Sequence, residues 1–314
     1  MRILWLYRYA KNYSFDNWFH LHLVEQMIEQ GINIKCYGPA MQEYNSKILT
    51  SEYHNNITLA GIHKVYPFDV VICNTKSRMF AYHSPHKSER CWLPKDFATF
   101  NTKRVMIEED YHYETEDSFY KQFDLTLQRH YNSYIVQKQR GVVNTKWFPF
   151  SIDEKTFYPE GLVQPTIGYS GHSDTGVYPF RTIAKSFLAN KGLLTDYDSS
   201  KKGVDYIHTL RRHIAFLSGS SIYYITPAKM FEIMASGAML FTNESDYYGL
   251  KHLFPDDCYM TYKEDFTDLE VKATLIVNDI ERTKEIAKRG RQCILDRHTD
   301  AIRTQQLMEI LRSL

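Results

Sequence analysis

The sequence predicts an α/β protein built from two similar halves, and three observations lead to this prediction. The chain has 314 residues, and a prior of about 150 residues per domain favours two domains over one. In both halves, short apolar runs that suit buried strands alternate with segments of helical periodicity, which is the pattern of parallel sheets with crossover helices. A turn-rich connection interrupts the pattern near residue 155. We therefore predict domains at 1–152 and 153–314, with a ligand-binding cleft at their seam.

The N-terminal half begins with a strand–helix–strand unit. Residues 2–7 form an apolar run, residues 18–28 carry apolar side chains at helical spacing, and residues 32–37 predict the next strand. Ser14 and Asp16 are candidate caps at the start of that helix. Further strands are predicted at 68–73, 104–107, 125–127 and 134–136, and helix with loop at 77–100.

The C-terminal half repeats this alternation after a strand that ends in the crossing segment at 146–153 and a turn-rich stretch at 157–161. Strands are predicted at 166–170, 213–217, 238–242 and 258–262. Helices are predicted at 179–189, 227–236, 265–277, 280–296 and 300–313.

Charge and composition narrow the function classes. The chain has 38 basic and 37 acidic side chains and a net charge of +1, so no global field draws it to nucleic acid or to a membrane. No apolar run reaches the roughly 18 residues of a membrane span, and the apolar start at 1–7 is too short for a signal peptide. The five cysteines are scattered without a CxxC pair, which predicts neither a zinc site nor a disulfide framework. We expect a cytoplasmic protein.

The most informative stretch is 220–237, which contains a short apolar helix with one lysine and one glutamate. Thr226 is predicted as the N-cap and Pro227 as the first helical residue, so Lys229 falls in the first turn. A cation there opposes the helix dipole by about 0.3–1 kcal/mol, and an anion bound at the helix start would account for it. The alternative is an ordinary solvated lysine.

Glu232 lies three residues after Lys229 on the same helical face, among apolar neighbours. A carboxylate in such surroundings costs free energy unless it finds hydrogen-bond donors. Suitable donors are the 2′- and 3′-hydroxyls of a nucleotide ribose or, alternatively, a structural arginine.

The stretch Phe231-Glu232-Ile233-Met234-Ala235-Ser236-Gly237-Ala238 resembles the donor-site helix of the group 1 glycosyltransferases, and the similarity is closest to the spore-maturation-protein-like branch. The resemblance covers most of residues 145–312. Further pieces agree with the family in order and spacing. They are the interdomain crossing at 148–153, the strand and helix start at 167–171 and 178–181, and the C-terminal helices at 286–291 and 298–299.

This resemblance implies a GT-B architecture, in which two Rossmann-like domains face a cleft and the C-terminal half holds a nucleotide-sugar. It implies that Glu232 binds the ribose and that Lys229, with Thr226 at the helix start, takes the diphosphate. Gly171 and His172 would approach the phosphates, because a glycine after a strand lets the backbone come close.

Two further positions leave alternatives open. Arg181 would either pair with phosphate or be a solvated helix charge. The common form of the family has a second glutamate eight positions before the ribose-binding one, near the transferred sugar, and Tyr224 stands there in this chain. The contact with the sugar hydroxyls is therefore altered or supplied elsewhere, and the sugar cannot be named from the sequence.

The implied co-substrate is a nucleotide-sugar, UDP- or GDP-linked, with no other cofactor. The helix dipole and Lys229 would neutralise the departing diphosphate, so we predict no obligatory metal. The resemblance also implies retention of configuration at the anomeric carbon.

In the N-terminal half, the strand predicted at 104–107 runs into a loop that carries Asp110 and His112. Related enzymes place a His or Asp of this loop against the sugar, so the resemblance implies that Asp110 or His112 orients hydroxyls or takes the acceptor proton. The alternative for His112 is a purely structural role.

Basic and aromatic side chains also cluster further along this half. Such a mixture could track a nucleic-acid strand, or it could be a solvated basic face, which the net charge of +1 favours. The residues are Arg129, His130, Lys138, Arg140 and Lys146, beside Tyr131, Tyr134 and Trp147.

The sequence thus predicts a glycosyltransferase whose acceptor is a glycan, lipid, protein or hydroxymethylated DNA base. The alternative is a non-catalytic module that binds a nucleotide or glycan on the same two-domain shell. A sugar-phosphate epimerase on that shell is a third hypothesis, and it would need acid–base carboxylates around the sugar.

Overall fold

The computed structural model describes residues 1–7, 18–38, 58–75, 93–108, 117–161, 163–171, 173, 176–195, 203–245 and 249–314. These residues form two compact units. The first contains Met1–Pro149 together with Thr304–Leu314, and the second contains Phe150–Arg303. Each unit has one parallel sheet with helices along the chain between its strands, so the predicted α/β fold class is confirmed.

The first unit is built on a six-stranded sheet in the order β2-β1-β3-β4-β5-β6, with every pair of neighbours parallel. Its strands are β1 (Arg2–Leu6), β2 (Asn33–Tyr37), β3 (Val70–Thr75), β4 (Lys103–Glu108), β5 (Leu125–Gln128) and β6 (Thr145–Trp147). Its helices are α1 (Trp18–Glu29), α2 (Leu59–Val65), α3 (Asp117–Tyr120) and α4 (Tyr131–Arg140).

The second unit has a five-stranded parallel sheet in the order β11-β10-β9-β7-β8. Its strands are β7 (Gln164–Gly168), β8 (Leu194–Thr195), β9 (His213–Leu217), β10 (Met239–Asn243) and β11 (Tyr259–Tyr262). Its helices are α5 (Pro179–Asn190), α6 (Gly203–Arg211), α7 (Ala228–Ala235), α8 (Leu250–Leu253), α9 (Leu269–Asn278), α10 (Ile280–Arg297) and the start of α11 (Asp300–Arg312), with a 3₁₀ turn at Asp256–Cys258.

Both faces of the first sheet are covered by apolar side chains. Trp5 and Ile72 belong to the core on one face, whereas Leu6 and Cys73 belong to the core on the other. A strand that is buried on both faces has a continuous apolar sequence rather than an alternating one. This burial explains why the first strand could be recognised from its run of large apolar residues.

The last helix contributes to the first unit. Leu307, Met308 and Leu311 are buried in one of its two cores, together with residues of β1, β3 and β4. The predicted domain boundary at 152/153 assigned these residues to the C-terminal domain, whereas in the structure Thr304–Leu314 belong to the N-terminal unit. Burial of these three side chains against the first sheet accounts for the difference.

One predicted strand is a helix in the structure. Residues 134–136 lie inside α4, which ends at Gly141 in a left-handed conformation with φ 64°. The buried positions that lie one turn apart in this helix are Ser133 and Gln137. Because those two residues are polar, the sequence shows no apolar residues at helical spacing here. The β-branched Ile135 and Val136 favoured the wrong assignment to a strand.

None of the helices in the described part of the chain combines the length and the apolarity that a bilayer crossing requires.

Candidate functional site

Gly171 lies three residues beyond the carboxyl end of β7, in a turn that comes close to two cationic side chains. Its φ is +151°, and a Cβ atom added there would lie 2.8 Å from Nζ of Lys229 and 3.9 Å from Cζ of Arg181. A side chain at position 171 would therefore displace the lysine ammonium. The groups of the described chain nearest to position 171 are the Lys229 ammonium, the Tyr169 hydroxyl and the Arg181 guanidinium, and the approach of Gly171 to phosphates stays a prediction.

Arg181 lies in the first turn of α5, whose first residue is Pro179. Its side chain is only 6% exposed, and its guanidinium carbon lies 3.5 Å from the ring centroid of Tyr178. A Cβ atom on Gly219, in the loop after β9, would come within 2.9 Å of Cβ of Arg181. The interpretation of Arg181 as a solvated helix charge is therefore wrong, because close packing has removed the side chain from water.

The short helix α7 begins one residue later than the sequence predicts. Pro227 has φ −70° and ψ 146°, which is an extended conformation, so it occupies the N-cap position and Ala228 is the first helical residue. The prediction that Thr226 caps this helix is wrong, and no side chain of the N-cap residue caps it. Thr226 is buried in the loop just before the helix, and Lys229 still lies in the first turn.

Lys229 is half-buried and makes two contacts in the second unit. Its ammonium donates a hydrogen bond to the carbonyl oxygen of Ser170 and lies 5.2 Å from the ring centroid of Tyr206. Burial lowers the pKa of Lys229 to about 8, and the positive charge of Arg181 acts in the same direction, whereas the charge of Glu232 opposes them. The alternative of an ordinary solvated lysine is therefore wrong.

Glu232 is almost completely buried, with 2% of its surface exposed. Its Oε2 accepts a hydrogen bond from the hydroxyl of Tyr206, which lies on α6. Burial raises the pKa of Glu232 to about 7, while the hydrogen bond from Tyr206 and the charge of Lys229 act to lower it. The donor that this buried carboxylate requires is thus a tyrosine, and neither α6 nor Tyr206 was predicted from the sequence.

Tyr224 has a backbone conformation that tyrosine rarely adopts. Its φ is 52°, and its amide donates to the carbonyl oxygen of Ser221 at 3.0 Å. Its ring centroid lies 6.4 Å from that of Phe180 on α5. A non-glycine residue held at positive φ costs on the order of 1–3 kcal/mol and is most often found at functional sites. The loop that leads into α7 is therefore fixed in a strained conformation.

The starts of α5 and α7 belong to two neighbouring loops. The amide of Ile222, before α7, donates to the carbonyl oxygen of Val177, before α5, at 2.9 Å. Free backbone N–H groups at helix starts attract anions, and Lys229 and Arg181 add two full positive charges beside them. This arrangement suits a ligand that has a multiply charged anionic group and, near Glu232, hydrogen-bond donors.

Three of the predicted site residues, Asp110, His112 and His172, lie outside the described residues, and their roles stay predictions. Among the residues that are described, no group of three or more His, Cys, Asp or Glu side chains is placed to hold a metal ion.

The basic residues near residue 135 are only partly a solvated face, since Lys138 and Lys146 are exposed and others are not. Arg129 and His130 are buried, and Arg129 lies over the ring of Phe148 at 5.1 Å. Arg140 pairs with Asp117. The interpretation of the cluster as a solvated basic face is therefore wrong for Arg129 and His130, whereas Arg140 is a partly exposed side chain in a surface ion pair.

Comparison with known proteins supports a single class of enzyme. Residues 183–309, which include α6 and α7, match the family model described as glycosyl transferase-like. No curated protein matches the chain by sequence.

Solved structures of similar fold cover essentially the whole chain. Sucrose-phosphate synthase from Thermosynechococcus elongatus matches with a TM-score of 0.68 at 12% identity, over 100% of this chain and 98% of that one. The Anabaena protein HepE in complex with UDP matches with a TM-score of 0.67 at 13% identity, over 100% of both chains. An alpha-glucosyltransferase in complex with UDP and a 13-mer DNA has a TM-score of 0.64 at 11% identity, over 99% of this chain and 100% of that one.

At these identities the structural matches show the fold, and the family model shows the class of the segment that carries Lys229 and Glu232. The resemblance to the spore-maturation-protein-like branch stays a prediction. Taken together, the comparisons show that the whole chain has the GT-B fold and that residues 183–309, which carry Lys229 and Glu232, are similar to glycosyltransferases.

Proposed function

We propose that the enzyme transfers a sugar from a nucleoside-diphosphate-sugar to an acceptor hydroxyl and that its second unit holds the donor. The observation that carries this proposal is the juxtaposition of Gly171, Lys229 and Arg181 with the buried Glu232. A diphosphate needs positive charge and N–H donors, and a ribose diol needs a carboxylate acceptor. Both requirements are met within a few residues of the start of α7.

The proposed contacts follow from the chemistry of each group. Lys229, Arg181 and the first N–H groups of α5 and α7 bind the diphosphate. Oε2 of Glu232 accepts from Tyr206, and the second carboxylate oxygen accepts no hydrogen bond from the described part of the chain. That oxygen is the proposed acceptor for a ribose hydroxyl, and Thr226 and His172 are proposed to complete the donor site.

In the proposed reaction, the bond between the anomeric carbon and the diphosphate oxygen breaks and the nucleoside diphosphate leaves with the electron pair. The acceptor oxygen bonds to the anomeric carbon, and its proton passes to a base, for which Asp110 or His112 is proposed. The cations stabilise the charge that grows on the leaving group. We further propose retention of configuration, on the basis of the family resemblance, and NMR of the product's anomeric proton tests it.

Metal independence is also a proposal, because Lys229 and Arg181 supply two positive charges where the leaving group would form. The sequence contains one Asp-x-Asp triplet, at 196–198, outside the described residues. Full turnover after treatment with EDTA would support the proposal. Loss of turnover that Mg²⁺ or Mn²⁺ restores would contradict it.

For the acceptor, the observations favour a carbohydrate hydroxyl over a modified DNA base. An alpha-glucosyltransferase of the same fold has been solved with DNA that contains an HMU base. In this chain, however, Arg129 and His130 are buried and Arg140 is ion-paired, so the basic cluster offers few free charges to phosphates. Because DNA binding depends on such charges, affinity for DNA would be weak.

The donor is tested by thermal unfolding with UDP, GDP, UMP and UDP-sugars. We propose a uridine nucleotide, since HepE and the alpha-glucosyltransferase were solved with UDP. A ligand at about 100 times its dissociation constant adds about 2.7 kcal/mol to the free energy of unfolding. We expect UDP to raise the melting temperature more than UMP does, because the cations contact the diphosphate. Stabilisation by none of these nucleotides would contradict the proposal.

Substitution of Gly171 by alanine should weaken donor use, because the new Cβ atom would displace the Lys229 ammonium from its position 2.8 Å away. We expect kcat/KM to fall about 10- to 100-fold, the scale of a misplaced catalytic group. Gly192→Ala is the matched control, since Gly192 also has positive φ, +69°, but has nothing within 4 Å of an added Cβ. Equal losses in both variants would show that backbone strain, and not the lysine, is responsible.

A further inference from the structure

One side chain of α6 contacts two of the three charged residues of the proposed donor site, Glu232 and Lys229. Tyr206 is 2% exposed, and its hydroxyl donates to Oε2 of Glu232. The centroid of its ring lies 5.2 Å from Nζ of Lys229. Tyr206 therefore contacts the carboxylate through its polar end and the ammonium through its aromatic face.

The hydroxyl fixes the orientation and charge of the carboxylate. Burial raises the pKa of Tyr206 well above its ordinary value, and the negative charge of Glu232 acts in the same direction, so the hydroxyl keeps its proton and remains a donor. A donor to a buried carboxylate favours the ionised form and makes a strong, directional contact. With Oε2 held in this way, the other oxygen has a fixed direction in which it can accept.

The ring restricts the lysine. An ammonium within about 6 Å of an aromatic face is attracted by the ring quadrupole, more strongly where water is excluded. Lys229 also donates to the carbonyl oxygen of Ser170. The ring on one side and this carbonyl on the other hold the ammonium beside Gly171, where a diphosphate would meet it.

We propose that Tyr206 is the positioning residue of the donor site, which aims the Glu232 carboxylate through its hydroxyl and confines the Lys229 ammonium through its ring. The inference rests on the proposed function, because Glu232 and Lys229 are the donor ligands through which Tyr206 acts.

The pH dependence of donor binding separates this role from a purely structural one. The groups that act on Glu232 within the described chain are Tyr206 from α6 and Lys229 from α7, and Arg181 from α5 acts on both of them. An ionised carboxylate accepts from a ribose more strongly than a neutral carboxyl group does, so affinity falls as the pH drops through the pKa of Glu232. Removal of the Tyr206 hydroxyl takes away a contact that lowers this pKa. The acid limb, which is the fall in donor affinity at low pH, must therefore move to higher pH.

The experiment is calorimetric titration of UDP into wild type and Tyr206→Phe from about pH 5.5 to about pH 8.5, an interval that spans the ionisation of Glu232. We expect about tenfold weaker binding at neutral pH and an acid limb about one pH unit higher, the scale of one hydrogen bond to a charged group. Tyr120→Phe is the matched control, since the buried Tyr120 hydroxyl donates to Glu108 at 3.0 Å in the other unit. It should leave UDP binding unchanged.

A double-mutant cycle shows whether Tyr206 acts through the carboxylate. In a Glu232→Gln background, Tyr206→Phe should cause less than a twofold further loss of affinity. The same loss in both backgrounds, or an acid limb that stays at the wild-type pH, would overturn the inference. If Glu232→Gln binds UDP as tightly as wild type does, the proposed donor site itself is wrong. If Glu232→Gln binds UDP more weakly but Tyr206→Phe binds it as wild type does, only the role of Tyr206 is wrong.

The ring is tested separately. Tyr206→Phe keeps the ring and should raise KM with little change in kcat, whereas Tyr206→Leu removes the ring and should lower kcat as well. A further measurement, of the hydroxyl and not of the ring, uses 3-fluorotyrosine at position 206 and does not depend on the leucine variant. Its hydroxyl is a stronger donor, so the acid limb should move to lower pH, and a shift in the opposite direction would contradict the inference.

Discussion

Replacement of Lys229 by alanine is expected to lower kcat by about 100- to 1,000-fold, the usual loss when one preorganised group that stabilises transition-state charge is removed. The ammonium lies beside Gly171 at the start of α7, where the proposed leaving group gains negative charge as its bond to the sugar breaks. That charge is larger in the transition state than in the bound donor, so the loss should appear in kcat more than in KM. Steady-state kinetics with a saturating acceptor measures it.

The control for this variant is Lys191→Ala, since Lys191 is an exposed lysine of the same unit that pairs with Glu270 at 3.1 Å. Exposed ion pairs of this kind contribute about 0–1 kcal/mol to stability, so Lys191→Ala should keep wild-type kcat. A Lys229→Ala enzyme with wild-type kcat would place the diphosphate elsewhere. A loss confined to KM would indicate that the lysine binds the donor equally in the ground state and the transition state.

Much of the second unit was predictable because its strands are short, apolar and buried. The strand at 213–217 agrees with β9 at both ends, and the helix predicted at 179–189 differs from α5 by one residue. In these elements the apolar residues recur at the spacing of a helix or a strand, and residues that favour an element's start or end mark its limits, such as Pro179 at the start of α5. The GT-B architecture itself was predicted from the family resemblance, since periodicity alone gives only the fold class.

The candidate site was predictable residue by residue only where one residue carries its own signal. Lys229 and Glu232 stand out as charges in an apolar helix, and Gly171 stands out after a strand. Tyr206 has no such signal, because its role depends on a contact with Glu232 that spans 26 positions in sequence. Arg181 was ambiguous for the same reason: its burial depends on Tyr178 and on Gly219, which comes from a different loop.

The charges of Lys229 and Glu232 also depend on each other. Glu232 raises the pKa of Lys229, and Lys229 lowers that of Glu232, so each residue helps the other to stay ionised in a buried place. Removal of one charge therefore weakens the other, and the effects of single substitutions will not add. For this reason glutamine, which keeps the shape of the side chain and an oxygen that can accept from Tyr206, is a cleaner replacement for Glu232 than alanine.

Glu232→Gln is expected to weaken UDP binding by about 10- to 100-fold, the scale of hydrogen bonds to a charged acceptor, and to change kcat less than Lys229→Ala does. The substitution should also abolish the fall in UDP affinity at acid pH that Glu232 causes in the wild type. In the wild type, protonation of Glu232 as the pH falls through about 7 turns the ribose acceptor into a weaker, neutral one, so affinity drops on the acid side, whereas the amide does not titrate.

Calorimetric titration of UDP at several pH values measures both effects. UDP's own protonation affects both proteins alike and cancels in the ratio of the two affinities, which reports the loss of the Glu232 charge together with its effect on Lys229. This ratio should be large above pH 7 and shrink as the pH falls below it. Glu270→Gln, which neutralises the exposed partner of Lys191, should behave as wild type throughout. A constant ratio would show that the carboxylate does not titrate in the free enzyme, and a ratio of one at every pH would remove Glu232 from the donor site.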